Sequence, residues 1–169
     1  ICGETPVRKK TKHYFFKLKN FSDKLSEYLD GNKNLQNNVK KYVQNWIKEG
    51  LVDWDITRDI SWGVPVPIDG ASEKVFYGWF DNHLAYISSA IKFLNDNGKD
   101  GKNFWNESDI YHFIGKDIVY HHYLFLPAMR LGIGEEYKLP DYIPTRGHLT
   151  LQAKKISKSR NWYIGLKDF

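Results

Sequence analysis

The sequence predicts an α/β domain with a mostly parallel sheet. Aromatic and β-branched runs at 13–18, 75–80, 110–114 and 145–151 alternate with segments of helical period, the pattern of strands joined by helical crossovers. At 169 residues, 41% hydrophobic and 16% aromatic, the chain has the size and composition of one domain with a sizeable core. No internal repeat or low-complexity segment interrupts this pattern.

In chain order, residues 3–12 are polar and basic, as in a linker or the tail of a small module. His13-Tyr14-Phe15-Phe16-Lys17-Leu18 has the richness of a buried strand or of the entry to a helix. Phe21, Leu25, Tyr28 and Leu29 keep helical spacing, with Asp30-Gly31 as the stop. Leu35, Val39, Tyr42, Val43, Trp46 and Ile47 line one face of a second helix, closed by Gly50, and core packing accounts for all six. Pro65 and Pro67 exclude a helix and predict extended chain at an edge or in a loop. Val75 to Phe80 reads as a strand, Asp81 as the cap of a helix over about 83–96, and Asn97-Gly98 as its end before a polar loop to Ser108. A strand at 110–114, a turn at Gly115-Lys116-Asp117, a helix over about 118–131 and a short strand near 145–151 complete the series.

No apolar run is long enough to span a bilayer, and no charged-then-apolar segment opens the chain. The single cysteine, Cys2, rules out an internal disulfide framework and fits a reducing, cytoplasmic setting. A formal charge of +5 favours polyanionic partners such as RNA or nucleotides. Ile1 in place of an initiator methionine leads us to expect a piece of something longer.

The most informative residues are Lys155-Ile156-Ser157-Lys158-Ser159, followed by Arg160. Two ammonium groups and two hydroxyls in one short loop can meet a polyphosphate from one side. A solvated basic turn explains them as well, since Lys154 and Arg160 extend the charge run. In a parallel α/β sheet, ligands sit beyond the carboxyl ends of the strands. The segments at 79–86 and 115–122 and the Lys155 loop occupy such places. Gly115 lets backbone approach a ligand and Asp117 can accept from ribose hydroxyls, although Gly-Lys-Asp also suits an ordinary tight turn. His121 and His122, about 100° apart on a helix, would not chelate one ion together. The six histidines hold no ligand pair at zinc spacing, and no Ser-His-Asp arrangement can be inferred. Cys2-Gly3 has the form of the second half of a Cys-x-x-Cys knuckle whose partners would precede residue 1.

Together these segments resemble the methionyl-tRNA synthetase family of class I aminoacyl-tRNA synthetases. The resemblance covers nearly the whole chain. Cys2-Gly3 with Thr5-Pro6 and Arg8 looks like the exit from the family's zinc-bearing connective insertion, and His13 to Phe16 like the segment after it. Asp55-Ile56-Thr57-Arg58-Asp59 and Trp62-Gly63-Val64-Pro65-Val66-Pro67 look like the return to the catalytic core. Tyr77-Gly78-Trp79-Phe80-Asp81, running to Tyr86-Ile87-Ser88-Ser89, is similar to the amino-acid-pocket strand and helix. Phe113 to Tyr120 with His122 matches another block, and Lys155 to Ser159 the class I signature loop, with Ile156 in place of the commoner Met.

The resemblance implies the C-terminal half of a Rossmann-like nucleotide-binding domain. Residues 1–12 would be the exit of the insertion, and 13–169 the half-domain, ending just after the signature loop. It implies ATP-dependent activation of methionine to the adenylate and transfer to tRNA(Met), with ATP carried as its Mg2+ complex and zinc belonging to the parent protein. Lys155 and Lys158 would be catalytic. Gly115, Asp117, Ile156, Ser157 and Ser159 would serve ATP, and Trp79, Asn82, His83, Tyr86, Ile118 and His122 would line the methionine pocket. Arg58 would contribute to the polar side.

Three departures border that pocket: Asn82-His83 replaces an Ala-Pro pair, Ala85 a Gly, and Leu126 a Trp before Pro127. The His-x-Gly-His element of the class is not in these residues, so we expect the piece to be inactive without a complementing N-terminal half. No membrane or DNA partner is expected. Other class I synthetases share the signature loop, and only the Trp79 and Ile118 to His122 blocks argue against them. A non-catalytic basic module that binds tRNA or a synthetase partner is the alternative from another class.

Overall fold

The computed structural model describes residues 5–134 and 137–168. Cys2 lies outside them, so the knuckle expected there is not addressed by the structure. The chain after the basic tail forms β1 (Phe15–Phe16), a 3-10 turn (Leu18–Phe21), and helices α1 (Ser22–Gly31) and α2 (Asn37–Glu49). The aromatic run at 13–18 is therefore both strand and helix entry. Gly50 ends α2 at φ 97°, a conformation open to glycine, and its N–H donates to the Ile47 carbonyl at 3.1 Å. Of the six apolar positions on α2, Leu35 just before it and Val43 are buried and Val39, Trp46 and Ile47 pack against the core. Tyr42 is 57% exposed, tilted against Trp46 with ring centres 4.4 Å apart, and is not a core residue.

β2 (Trp54–Asp55), β3 (Thr57–Arg58) and β4 (Val75–Phe76) follow, then α3 (Gly78–Asp96) and α4 (Gly101–Glu107). β1 pairs with β2, and β3 with β4, both antiparallel. The segment 59–68 forms no helix, as its prolines require, but bends at 61–63 before Pro65 bridges to Val75. α3 begins five residues earlier than expected, with Tyr77 as N-cap, so Asp81 sits in its first turn instead of capping it. The expected polar loop before Ser108 contains α4. Asp100 caps it by accepting from the Asn103 N–H at 2.9 Å, and Trp105 anchors it.

β5 (Ile114–Gly115) and β6 (Thr145–Arg146) form a parallel pair, extended by a parallel bridge between Tyr111 and Tyr142. Between them the expected helix 118–131 is present as one continuous helical stretch, which opens with a 3-10 turn (Lys116–Ile118), passes through a π-helical turn (His121–Phe125) and ends as α5 (Leu126–Gly132). Pro127 lacks the N–H that would reach back to Tyr123, and the Leu126 N–H donates to the His121 carbonyl, one residue further back than in an α-helix. β7 (Thr150–Leu151) and β8 (Lys154–Lys155) make an antiparallel hairpin, so the strand expected near 145–151 is two strands with different partners.

The mostly parallel sheet predicted from the sequence is thus not what the described residues form. They hold four two-stranded pairs, of which β5–β6 is parallel. The alternation of elements was legible, but their pairing depends on neighbours. The core joins Leu18, Leu25, Leu29, Leu35 and Val43 of the first helices to Ile114, Val119, Tyr123, Leu124 and Ile143. A smaller cluster of Ile87, Trp105 and Ile110 fastens α3 and α4 beside it.

Candidate functional site

Two groups of expected site residues come together, one at the carboxyl ends of β5 and β6, the other between α3 and the π-helical turn. In the first, Gly115 ends β5 and Asp117 follows in the 3-10 turn, while His148 follows β6. The His148 Nε2–H donates to the Asp117 carboxylate at 3.0 Å. That bond, foremost, holds the Asp117 carboxyl below its ordinary range, and the Lys155 ammonium adds to it. A Cβ on Gly115 would lie 2.5 Å from the Asp117 carboxylate, so glycine is what allows this close approach. His148 was not singled out in the sequence. No spacing links positions 117 and 148; the parallel pair does.

The Lys/Ser loop runs on from the β7–β8 hairpin. Gln152 and Ala153 turn it with φ of 50° and 60°, the left-handed geometry of a two-residue hairpin turn. Ser157 and Trp162 exchange two backbone hydrogen bonds, 2.8 and 3.0 Å, closing the loop around a 3-10 turn (Lys158–Arg160). Within it the Ser157 and Ser159 hydroxyls are 3.1 Å apart. The Trp162 indole N–H holds the Leu151 carbonyl at 3.1 Å, and the Lys154 ammonium lies over the Trp162 ring at 5.2 Å. Lys155, Ile156, Lys158 and Ser159 are all exposed, and Ser157 is half-buried. The loop is therefore fastened at both ends and presents its ammonium groups to solvent.

In the second group, His83 and His122 are buried, Trp79 and Ile118 are half-buried, and Tyr86 is 45% exposed. The His122 Nδ1 faces the Ile118 carbonyl at 3.1 Å, and a carbonyl only accepts, so Nδ1 carries the proton. Burial disfavours the charged ring. Nε2 is then a lone pair, and the Tyr86 hydroxyl, 3.2 Å away, donates to it. Tyr86 and His122 line a cavity of about 140 Å³ with His112 and Ile114. His83 stacks on His121 at 5.4 Å and stands edge-on to His122 at 5.6 Å; Trp79 covers the His121 ring at 4.8 Å. Burial first, then the neighbouring rings His122 and His121, pushes the His83 imidazole down to about 3, and burial likewise pushes His112 down to about 4.

His112, His121 and Trp54, which stacks on Phe125 at 3.7 Å, belong to this group but were not singled out for it. A doubled histidine reads as a metal question in sequence, whereas here it is a packing one. Among the described residues no group of three or more His, Cys, Asp or Glu could hold a metal ion.

Two expected residues stand apart. Asn82 is exposed on α3. Arg58 pairs with Asp55 at 3.2 Å, lies over the Tyr77 ring at 3.9 Å and donates to the Thr57 carbonyl, contacts that belong to neither group.

The family model described as tRNA synthetases class I (M) matches residues 1–169. The chain belongs to the class I tRNA synthetases, in their methionine group. Relatives in this family include the methionine–tRNA ligase of Methanobrevibacter smithii, 48% identical over 99% of this chain and 25% of that protein. That of Methanopyrus kandleri is 47% identical over 100% of this chain and 25% of its own length. The chain thus spans about a quarter of the length of these class I synthetases. Among solved structures, Mycobacterium tuberculosis methionyl-tRNA synthetase bound by methionyl-adenylate superimposes with a TM-score of 0.76 at 29% identity, over 95% of this chain and 31% of that one. No helix among the described residues is long and apolar enough to cross a membrane.

Proposed function

We propose that this chain is the C-terminal half of the catalytic domain of a methionine–tRNA ligase, which activates methionine with ATP and passes it to tRNA(Met). One observation carries this reading. The β5–β6 pair delivers Asp117 and His148 to one hydrogen bond, with the Lys/Ser hairpin next in the chain beyond the same strand ends. The class I match supports it.

In the first step the methionine carboxylate attacks the α-phosphorus of ATP. The bond to pyrophosphate breaks, and pyrophosphate leaves with the electron pair. Negative charge spreads over the phosphate oxygens, and catalysis consists mainly of positioning and of neutralising that charge. Lys155 and Lys158 supply the cations, while Ser157 and Ser159 shape the loop and donate to phosphate. Gly115 leaves room for the nucleoside and the ionised Asp117, oriented by His148, accepts from ribose hydroxyls. Ile156 packs beside the nucleotide. ATP enters as its Mg2+ complex, and the exposed loop leaves space for it.

Methionine occupies the cavity at Tyr86 and His122, with Ile118 holding the His122 ring through its carbonyl and Trp79 and His83 packed behind the histidine pair. Because Tyr86 spends its proton on His122, its oxygen remains available only as an acceptor. The thioether gains from the aromatic surroundings. Asn82 and Arg58 would act on the rim. Residues 1–12 are assigned to the exit of a connective insertion, with Cys2 the remnant of its zinc knuckle. Residues 13–169 are the half-domain, and the free side of the β5 strand takes the remaining parallel strands of a Rossmann-like sheet from a complementing N-terminal half. The setting is the cytoplasm, where tRNA is charged.

The test is methionine-dependent exchange of pyrophosphate into ATP, measured on this chain mixed with a separately expressed N-terminal half. Exchange that requires both halves and falls by about 10²–10³ with Lys158→Ala is expected. Associated halves without exchange would favour a non-catalytic tRNA-binding module instead.

A further inference from the structure

Lys154 and Lys155 are neighbours in the sequence, and nothing in their spacing says which of them joins Lys158 at a phosphate. The hairpin separates them. Lys154 stands opposite Leu151 and Lys155 opposite Thr150. Opposite residues of an antiparallel pair share a face and successive residues alternate, so the two side chains leave the hairpin on opposite sides.

Trp162 lies on the Lys154 side. The Lys154 ammonium is 5.2 Å from the centre of the indole, within cation–π range. The indole N–H, a donor only, is used on the Leu151 carbonyl at 3.1 Å, eleven residues back in the chain. The Trp162 backbone meanwhile exchanges its two hydrogen bonds with Ser157. One half-buried residue thus ties the far end of the Lys/Ser loop to the hairpin at its near end, and takes up one of the two lysines as it does so.

Lys155 is turned the other way. The His148 hydrogen bond first, and the Lys155 ammonium with it, hold the Asp117 carboxyl below its ordinary range. Lys155 therefore acts on the side where Gly115 and Asp117 lie, at the end of β5.

We propose that Trp162 is a positioning residue of the Lys/Ser loop: it draws Lys154 onto its ring and pins the hairpin through the Leu151 carbonyl, so that Lys155 is the one of the pair that reaches the phosphates. This rests on the reading of Lys155 and Lys158 as the lysines that meet ATP. A cation already aimed costs no reorganisation when charge develops on the phosphate oxygens. With the ring removed, Lys154 is released and the hairpin is free to roll, and either lysine can then meet the anion.

The experiment replaces Trp162 in the full-length protein in two ways. Benzothienylalanine keeps the bicyclic ring and removes the N–H, while Trp162→Leu removes both contacts. Lysine reactivity is read first, by acetylation with acetic anhydride in the presence and absence of Mg2+-pyrophosphate, resolved residue by residue by mass spectrometry. In the parent, pyrophosphate is expected to protect Lys155 and Lys158 and to leave Lys154 reactive. In the Trp162→Leu protein protection is expected to be shared between Lys154 and Lys155. A role for Trp162 in stability alone leaves the protection pattern of the folded protein as in the parent, and that result would overturn the proposal. Equal protection of Lys154 and Lys155 in the parent, or protection of neither, would also overturn it. In pyrophosphate exchange, kcat is expected to fall about tenfold with benzothienylalanine, as for one lost hydrogen bond that acts in the transition state, and KM for methionine to stay unchanged. A benzothienyl protein with the kcat of its parent would remove the N–H from this role. Protection is read without catalysis. The expected protection pattern in a parent that catalyses no exchange would therefore support this inference while overturning the functional reading.

Discussion

His122 shows how much one proton position decides. The carbonyl of Ile118 takes the proton on Nδ1, and that choice makes Tyr86 a donor to the ring. Tyr86→Phe should leave the Nε2 lone pair of a buried imidazole without its partner and raise KM for methionine on the order of tenfold, with kcat less affected. Steady-state exchange kinetics on the full-length enzyme would check it, and an unchanged KM would remove Tyr86 from the pocket. The wider histidine group predicts a pH dependence. His83 and His112 are held near 3 and 4 in the folded chain against 6.5 when unfolded. The unfolded rings therefore take up protons first as pH falls. Stability is complete above about pH 6.5 and declines toward pH 4, as these two rings, and with them His121 and His122, which burial also lowers, bind protons on unfolding. Urea midpoints followed by tryptophan fluorescence in the full-length protein should fall accordingly. His112→Phe, which keeps the ring against Tyr86, should flatten the slope by about one proton. A midpoint constant from pH 7 to 5 would contradict the buried neutral rings. Of the residues in this group, Trp79, His83, Tyr86, Ile118 and His122 were legible through family resemblance. His112, His121 and Trp54 were not, because their contacts come from three separate segments and none shares a sequence spacing with the others.

At the scale of elements, α4 is the instructive miss. A polar stretch opening with Gly98-Lys99-Asp100-Gly101 has weak helix propensity and reads as a loop. What makes it helical is the Asp100 cap and a very close approach to α3. A Cβ on Gly101 would stand 2.6 Å from the Ile91 carbonyl oxygen and 2.7 Å from its Cα. Both are backbone atoms and cannot step aside cheaply. Gly101→Val should therefore push α4 off α3 and cost about 1–3 kcal/mol through overpacking. A thermal melt of the full-length protein would register this, and an unchanged transition would mean the two helices can slide. Helices α1 and α2, in contrast, were legible from periodicity alone, because their apolar faces pack on the chain's own core. The π-helical turn within the helix after residue 118 follows from Pro127, whose effect is felt a full turn upstream, where periodicity does not register it.

For the whole molecule, the alternation of strand-like and helical segments indicated an α/β fold but not its pairing. Strand partners are a property of neighbours, and two-residue strands carry no register signal of their own. Trp62, Phe113 and Leu149, exposed by 86%, 79% and 83%, show that apolar residue type alone does not mark the core. The family was legible because the Lys/Ser loop and the Gly115–Asp117 turn are local motifs, intact within a short stretch. The His148 contact to Asp117 was hidden, since it exists only once the β5 and β6 strands lie side by side.

The turn at Gln152 and Ala153 bears on timing. Both are ordinary L-residues in a left-handed conformation, a geometry disfavoured by roughly 1–2 kcal/mol per residue. A Gly at the second position would relax it and make the hairpin more rigid in its resting shape. Keeping the turn slightly uphill leaves the lysine arm in a shallow energy well. An arm that must close over a triphosphate and then let pyrophosphate escape is slowed by any resting or closed state that is too deep. On the proposed reading, the tension in this turn favours rapid release of product over tight holding.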